Sequence, residues 1–198
     1  DHRDLHSFPT RRSSDLVLVV IGIHREELAF GREVLDGFDP GEIDVLEVPD
    51  GLSGRRPLPD ECFRNRVVHR ALYLQLLSQL GPAHRLLLDL HAGYDDTGPS
   101  ADLLCASPRL RACLMHALES PATLAAGEAL PSLREQVRIV ALDAGQPLHA
   151  RTVIPEAVWN NPRFAYLGVE VYLPDDAARR ASAVLLARRI IHLAGCCA

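Results

Sequence analysis

What this 198-residue chain lacks narrows its class before any motif is read. Its longest apolar runs, such as residues 16–23, fall far short of the ~20 residues that a membrane-spanning helix needs. It has no block of basic residues and a net charge of -5, so the clustered positive surface that nucleic acid requires is missing. Its five cysteines, Cys62, Cys105, Cys113, Cys196 and Cys197, are odd in number, and no pair has C-x-x-C spacing. These read as buried apolar thiols of a cytoplasmic protein that needs no disulfide, with Cys196 and Cys197 on a fraying tail. There is no internal repeat and no long linker. Hydrophobic residues at 47% suffice for one sizeable core, so one domain is expected.

The first sixteen residues stand apart. Segment 1–16 has neither the apolar stretch of a secretory signal nor a helical or strand period. Asp4 through Asp15 coincide, residue for residue, with the translation of a common short-read sequencing adapter. We expect 1–16 to be a non-native tail, with His2 and His6 unconnected to function. The native domain then occupies 17–198 and is truncated at its start.

From there, strands alternate with helices. Apolar runs at 16–23, 43–48, 85–90, 103–106, 137–142 and 166–172, the first of them rich in β-branched residues, predict strands. Helices are predicted at 26–35, 67–80, 108–118 and 175–193, the second with an apolar face through 67, 71, 74 and 77. Segments 49–59 and 92–101 read as loops, 121–131 as ambiguous but helix-compatible, and 145–162 as irregular with one helical turn. The pattern predicts an α/β fold: a mixed, largely parallel sheet with helices on both faces. Ligands of such sheets sit beyond the carboxyl ends of the strands.

Four groups of residues carry possible chemistry, and each has an ordinary structural explanation when read alone. His24 and Glu27 have H-x-x-E spacing at a strand-to-helix turn, where solvated surface charges are equally at home. Asp89 and His91 end a wholly apolar strand and need partners, for which a metal is one candidate and backbone groups another. Glu170 interrupts a valine-rich strand, either as a buried carboxylate or as an outward-facing residue. Asn65 and Arg66 follow a loop that carries Arg55 and Arg56, a set suited to a carboxylate or simply to solvent.

Taken in order, these groups resemble the motifs of the succinylglutamate desuccinylase/aspartoacylase family, which is related to the zinc carboxypeptidases. Residues 22–27 (GIHREE) are similar to its G-x-H-G-N-E motif. Residues 63–66 (FRNR) are similar to D-L-N-R, 89–91 (DLH) to D-L-H, and 169–171 (VEV) to its late glutamate. The likeness runs from 17 to about 174. Arg25, Glu26, Phe63, Arg64 and Tyr172 depart from the pattern, the interval from Glu27 to His91 is short, and the C-terminal β domain of many members is absent.

The resemblance implies a zinc carboxypeptidase-like catalytic domain. In it Zn2+ is held by His24, Glu27 and His91, with the fourth position left to water. Glu170 is then the general acid/base. Asn65 and Arg66 anchor a substrate carboxylate, and Arg55 or Arg56 helps polarise the carbonyl. The implied reaction is hydrolysis of the amide bond of an N-acyl amino acid. A carboxypeptidase-like peptide hydrolase and a non-catalytic member of the fold are the alternatives.

Overall fold

The computed structural model describes residues 17–119, 132–142 and 153–198. The adapter-like segment 1–16, the stretch 121–131 and the first part of 145–162 lie outside the described residues. Six strands form one sheet: β1 (Val17–Ile21), β2 (Asp44–Glu47), β3 (Leu86–Tyr94), β4 (Ser100–Cys105), β5 (Val137–Ala141) and β6 (Ala165–Leu173). Their order is β2-β1-β3-β6-β4-β5. Every pairing is parallel except β4 with β6. The α/β class, with its mixed and largely parallel sheet, is as the sequence predicts.

Strand alternation divides the apolar residues between two cores. On one face Val19, Ile21, Leu88, Leu90 and Val169 pack against α1 (Leu28–Leu35), α3 (Pro108–Glu119), α4 (Leu133–Gln136) and α6 (Ala177–Cys197). On the other face Leu18, Val20, Leu87 and Tyr166 meet Tyr73 and Leu76 of α2 (Cys62–Leu76), and Val158 and Trp159 of α5 (Glu156–Trp159). Helices thus cover both faces. The single turn of α5 matches the one helical turn predicted within 145–162.

Two boundaries near the site differ from the sequence reading. Helix α2 begins at Cys62, five residues before the predicted 67, and it buries His69, Tyr73 and Leu76. Val67 and Leu74, which the apolar pattern placed inside, are exposed. Strand β3 does not stop before a loop at 92. It continues to Tyr94 because β6 pairs with it over its whole length, His91 lying opposite Glu170 and Tyr94 opposite Leu173. Strand β1 ends opposite Leu90, so His91 is the first β3 residue with open space on that side.

The cysteine expectation is corrected too. Helix α6 runs to Cys197, which forms a disulfide with Cys113 of α3, the Cα atoms 5.7 Å apart. The tail is a docked helix end because Ile190, Ile191 and Ala194 are buried in the core just before it. Only Cys105 fits the buried-thiol reading; Cys62 is half-buried and Cys196 exposed. The bond corrects the expectation that the chain needs no disulfide. Among the described residues no helix is long and apolar enough to cross a membrane.

The disulfide closes a sequence separation of 84 residues. Cross-links of this kind typically stabilise by about 2–4 kcal/mol. Cys113→Ser should therefore lower the unfolding free energy by roughly that amount and abolish the effect of reductant on Tm. Thiol counting on the unfolded, unreduced chain should give three reactive cysteines; five would show that the bond does not form.

Candidate metal centre

The site lies past the carboxyl end of β1 and over the carboxyl-terminal halves of β3 and β6, on the side of the sheet where α/β folds place their chemistry. After β1, Gly22 turns the chain at φ +82°, a left-handed conformation that favours glycine. Gly51 lets the incoming loop approach: a Cβ there would lie 1.8 Å from the Gly22 carbonyl oxygen. The segment is then stitched to that loop by Leu52 N–H to Ile23 O and Arg25 N–H to Leu52 O, at 2.8 and 2.9 Å. These bonds fix His24 at the turn, and Glu27 becomes the residue that caps α1.

The three groups meet. Glu27 Oε1 lies 2.7 Å from His24 Nδ1, and Glu27 Oε2 lies 2.9 Å from His91 Nδ1. Each residue offers a ligand atom within 4.8 Å of the other two. His24, Glu27 and His91 are thus a cluster able to hold a metal ion. Burial penalises the Glu27 carboxylate, but hydrogen bonds from His24 and His91 more than offset this and hold its pKa below the ordinary glutamate value.

Behind His91 stands Asp89, completely buried. Its Oδ2 accepts from Tyr73 Oη and Tyr166 Oη, both at 2.8 Å, and lies 3.0 Å from His91 Nε2. Among the described residues Asp89 Oδ1 has no hydrogen-bond partner. Burial works against the charge, yet His91 and the two tyrosines keep the Asp89 pKa below its usual value. Burial also raises the Tyr73 and Tyr166 hydroxyls well above the ordinary range, so both stay donors. At His91 burial disfavours the imidazolium, but Asp89 and Glu27 overcome it and raise the pKa well above normal. A carboxylate on the far nitrogen of an imidazole whose near nitrogen faces a common point is the arrangement found around metal-bound histidines. The donor set of two imidazoles and one carboxylate suits zinc.

Glu170 opens into the same cavity, of about 630 Å³, that His24 and His91 line. Its Oε1 lies over Gly93, where an added Cβ would come within 2.8 Å of it. Burial raises the Glu170 pKa, with His91 pulling it down and Glu27 pushing it further up. Arg55, Arg56 and Asn65 also line the cavity. Arg66 does not: it is exposed on α2, its Nε 3.4 Å from the Cys62 carbonyl oxygen. One residue beyond Asn65 on a helix is a turn of about 100°, enough to carry a side chain off the sheet-facing stripe. The structure does not bring Arg66 to the other predicted residues.

Two residues missed in the sequence belong here. His69, one turn beyond Asn65, places its Nε2 3.2 Å from His24 Nε2. Glu26 accepts from Ser53 Oγ and Gly54 N–H, both at 3.0 Å, and so ties down the loop that carries Arg55 and Arg56. The Gly54 amide is the main cause that lowers the Glu26 pKa to about 2. Helical spacing from Asn65 could have found His69; the Glu26 contact has no local signal.

No family model matches the chain, and no curated protein matches it. Among solved structures it is similar to succinylglutamate desuccinylase from Vibrio parahaemolyticus, at 14% identity, TM-score 0.44, over 93% of this chain and 68% of that one. It is also similar to the catalytic domain of CwlV, an N-acetylmuramoyl-L-alanine amidase from Bacillus (Paenibacillus) polymyxa var. colistinus. That match has 12% identity and TM-score 0.40, over 91% of this chain and 93% of that one. At these values neither likeness assigns an activity to this chain.

The Asp89 network predicts a stability effect independent of any metal. Hydrogen bonds to a charged acceptor contribute about 1.5–3 kcal/mol. Tyr73→Phe and Tyr166→Phe should each lower the urea-unfolding free energy by that order, and the double variant should deviate from additivity because both donate to one oxygen. Losses below about 0.5 kcal/mol for both would refute the network.

Proposed function

We propose that this chain is a zinc-dependent hydrolase that cleaves the amide bond of a small, carboxylate-bearing N-acyl amino acid. One observation carries the reading: His24, Glu27 and His91 converge on a single point, and Glu170 lines the same cavity as a separate acidic group. The motif order that resembles the succinylglutamate desuccinylase/aspartoacylase family supports it.

Zinc held there would supply Lewis acidity, bringing the pKa of water towards about 7 and polarising the scissile carbonyl. The chain's own residues do the rest. Burial raises the pKa of Glu170, which favours its holding a proton between uptake and release. Its carboxylate takes the proton of the attacking water and returns it to the leaving amine nitrogen. Arg55 and Arg56 receive the substrate carboxylate, for which a planar guanidinium offers paired donors. Asn65 orients the same end of the substrate. Glu26 keeps these arginines at the cavity mouth through its hold on Ser53 and Gly54.

The test is Glu170→Gln, which keeps the shape and removes the base. It should lower kcat on N-acyl amino acids by at least about a hundredfold with zinc retained. Near-normal turnover, or loss of the metal, would overturn the assignment. Assaying peptides beside acyl amino acids separates the deacylase from a carboxypeptidase-like hydrolase, and hydrolysis of neither would mark a non-catalytic member of the fold.

A further inference from the structure

His69 is 6% exposed and has both ring nitrogens engaged. Its Nδ1 lies 2.9 Å from the Asn65 carbonyl oxygen, one helical turn back. A carbonyl oxygen can only accept, so the Nδ1 carries a proton and donates it. Its Nε2 faces His24 Nε2 at 3.2 Å. Two nitrogens at that distance share one proton: one must donate and the other accept. His24 Nδ1 points the other way, at Glu27. An imidazole that ligates through Nδ1 keeps its proton on Nε2. With Nδ1 given to a metal, His69 Nε2 is then the acceptor of the His24 Nε2 proton; without a metal, His24 Nδ1 donates to Glu27 Oε1 instead.

We propose that His69 is a positioning residue for the metal centre: it accepts from His24 Nε2–H and so holds His24 in the tautomer and ring orientation that present Nδ1 to the metal. The two histidine ligands are thereby oriented by different means. His91 leans on the buried carboxylate of Asp89, whereas His24 leans on an imidazole that is itself anchored by helix α2. Because His69 sits on the same stripe as Tyr73, a single helix orients both: Tyr73 Oη reaches Asp89 at 2.8 Å while His69 reaches His24. A shift of α2 would disturb both ligands together.

This inference rests on the zinc reading above, and the experiment separates the two. Zinc affinity is measured by competition with a chromophoric chelator for the wild type, His69→Phe and His69→Gln. Loss of such an orienting partner typically weakens binding about 10–100-fold. His69→Phe fills the space without an acceptor and should show that loss, while its metal-free unfolding midpoint stays near wild type. His69→Gln restores an acceptor oxygen and should recover most of the affinity. In the zinc-loaded wild type, ¹⁵N imidazole spectra should show His69 protonated at Nδ1 and His24 protonated at Nε2. Undiminished affinity in His69→Phe overturns the proposal and leaves the zinc reading intact. Spectra that put His69 Nε2 on the zinc, or a proton on it, overturn it likewise. A wild-type chain that binds no zinc overturns both.

Discussion

A carboxylate with no exposure in the middle of a parallel strand is the constraint around which this site is built. Asp89 faces the α2 side of the sheet, where Val20, Leu87, Tyr73 and Tyr166 form the core, and charge in such surroundings is costly unless it is compensated. Two tyrosine hydroxyls and His91 provide that compensation on one oxygen. Each then has a fixed place. Tyr73 locks the rotation of α2 against the sheet. Tyr166 reaches Asp89 because Gly168 is bare: a Cβ there would lie 3.1 Å from the tyrosine oxygen. His91, held at Nε2, turns Nδ1 towards Glu27. Three carboxylates, Glu27, Asp89 and Glu170, gather around few compensating groups, and a dication at the convergence point would answer that excess of negative charge.

This constraint also decides which parts of the protein could be read from its sequence. The central strands are legible because they are continuous apolar runs buried on both faces of the sheet. His24, Glu27, His91 and Glu170 are each ambiguous when read alone, and only their order, which resembles the motifs of a known family, singles them out. Helix α2 was misread for the opposite reason. Its buried stripe is polar, with Asn65, His69 and Tyr73 facing the site, while Val67 and Leu74 lie outside. An apolar period therefore picked the wrong face, hid His69, and started the helix a turn late. Arg66 was drawn in by its motif neighbour Asn65, although adjacent positions on a helix point in different directions. The length of β3 depended on its partner β6, and the Cys113–Cys197 bond on a helix end far away in sequence. Neither has a local signature.

The departures from the family motifs acquire physical meaning in the structure. Glu26, where the motif has asparagine, binds the loop at Ser53 and Gly54, a contact between residues 27 and 28 positions apart. Tyr172, where glycine is common, lies against Gly93 and donates to Asp102 Oδ2 at 3.1 Å. Burial raises its hydroxyl pKa to about 12, so it remains a donor. Arg138 also holds Asp102, its Nε at 2.8 Å. Both changes affect the walls of the cavity and leave the His24, Glu27 and His91 cluster intact.

Metal content shows whether His24, Glu27 and His91 form one metal centre. The most direct measurement is the zinc content of purified chain 17–198 after exhaustive dialysis against metal-free buffer and reloading with limiting zinc. One tightly held zinc per chain is expected, and none in Glu27→Ala. A wild-type chain that retains no zinc, or a Glu27→Ala chain that retains as much as wild type, would contradict it.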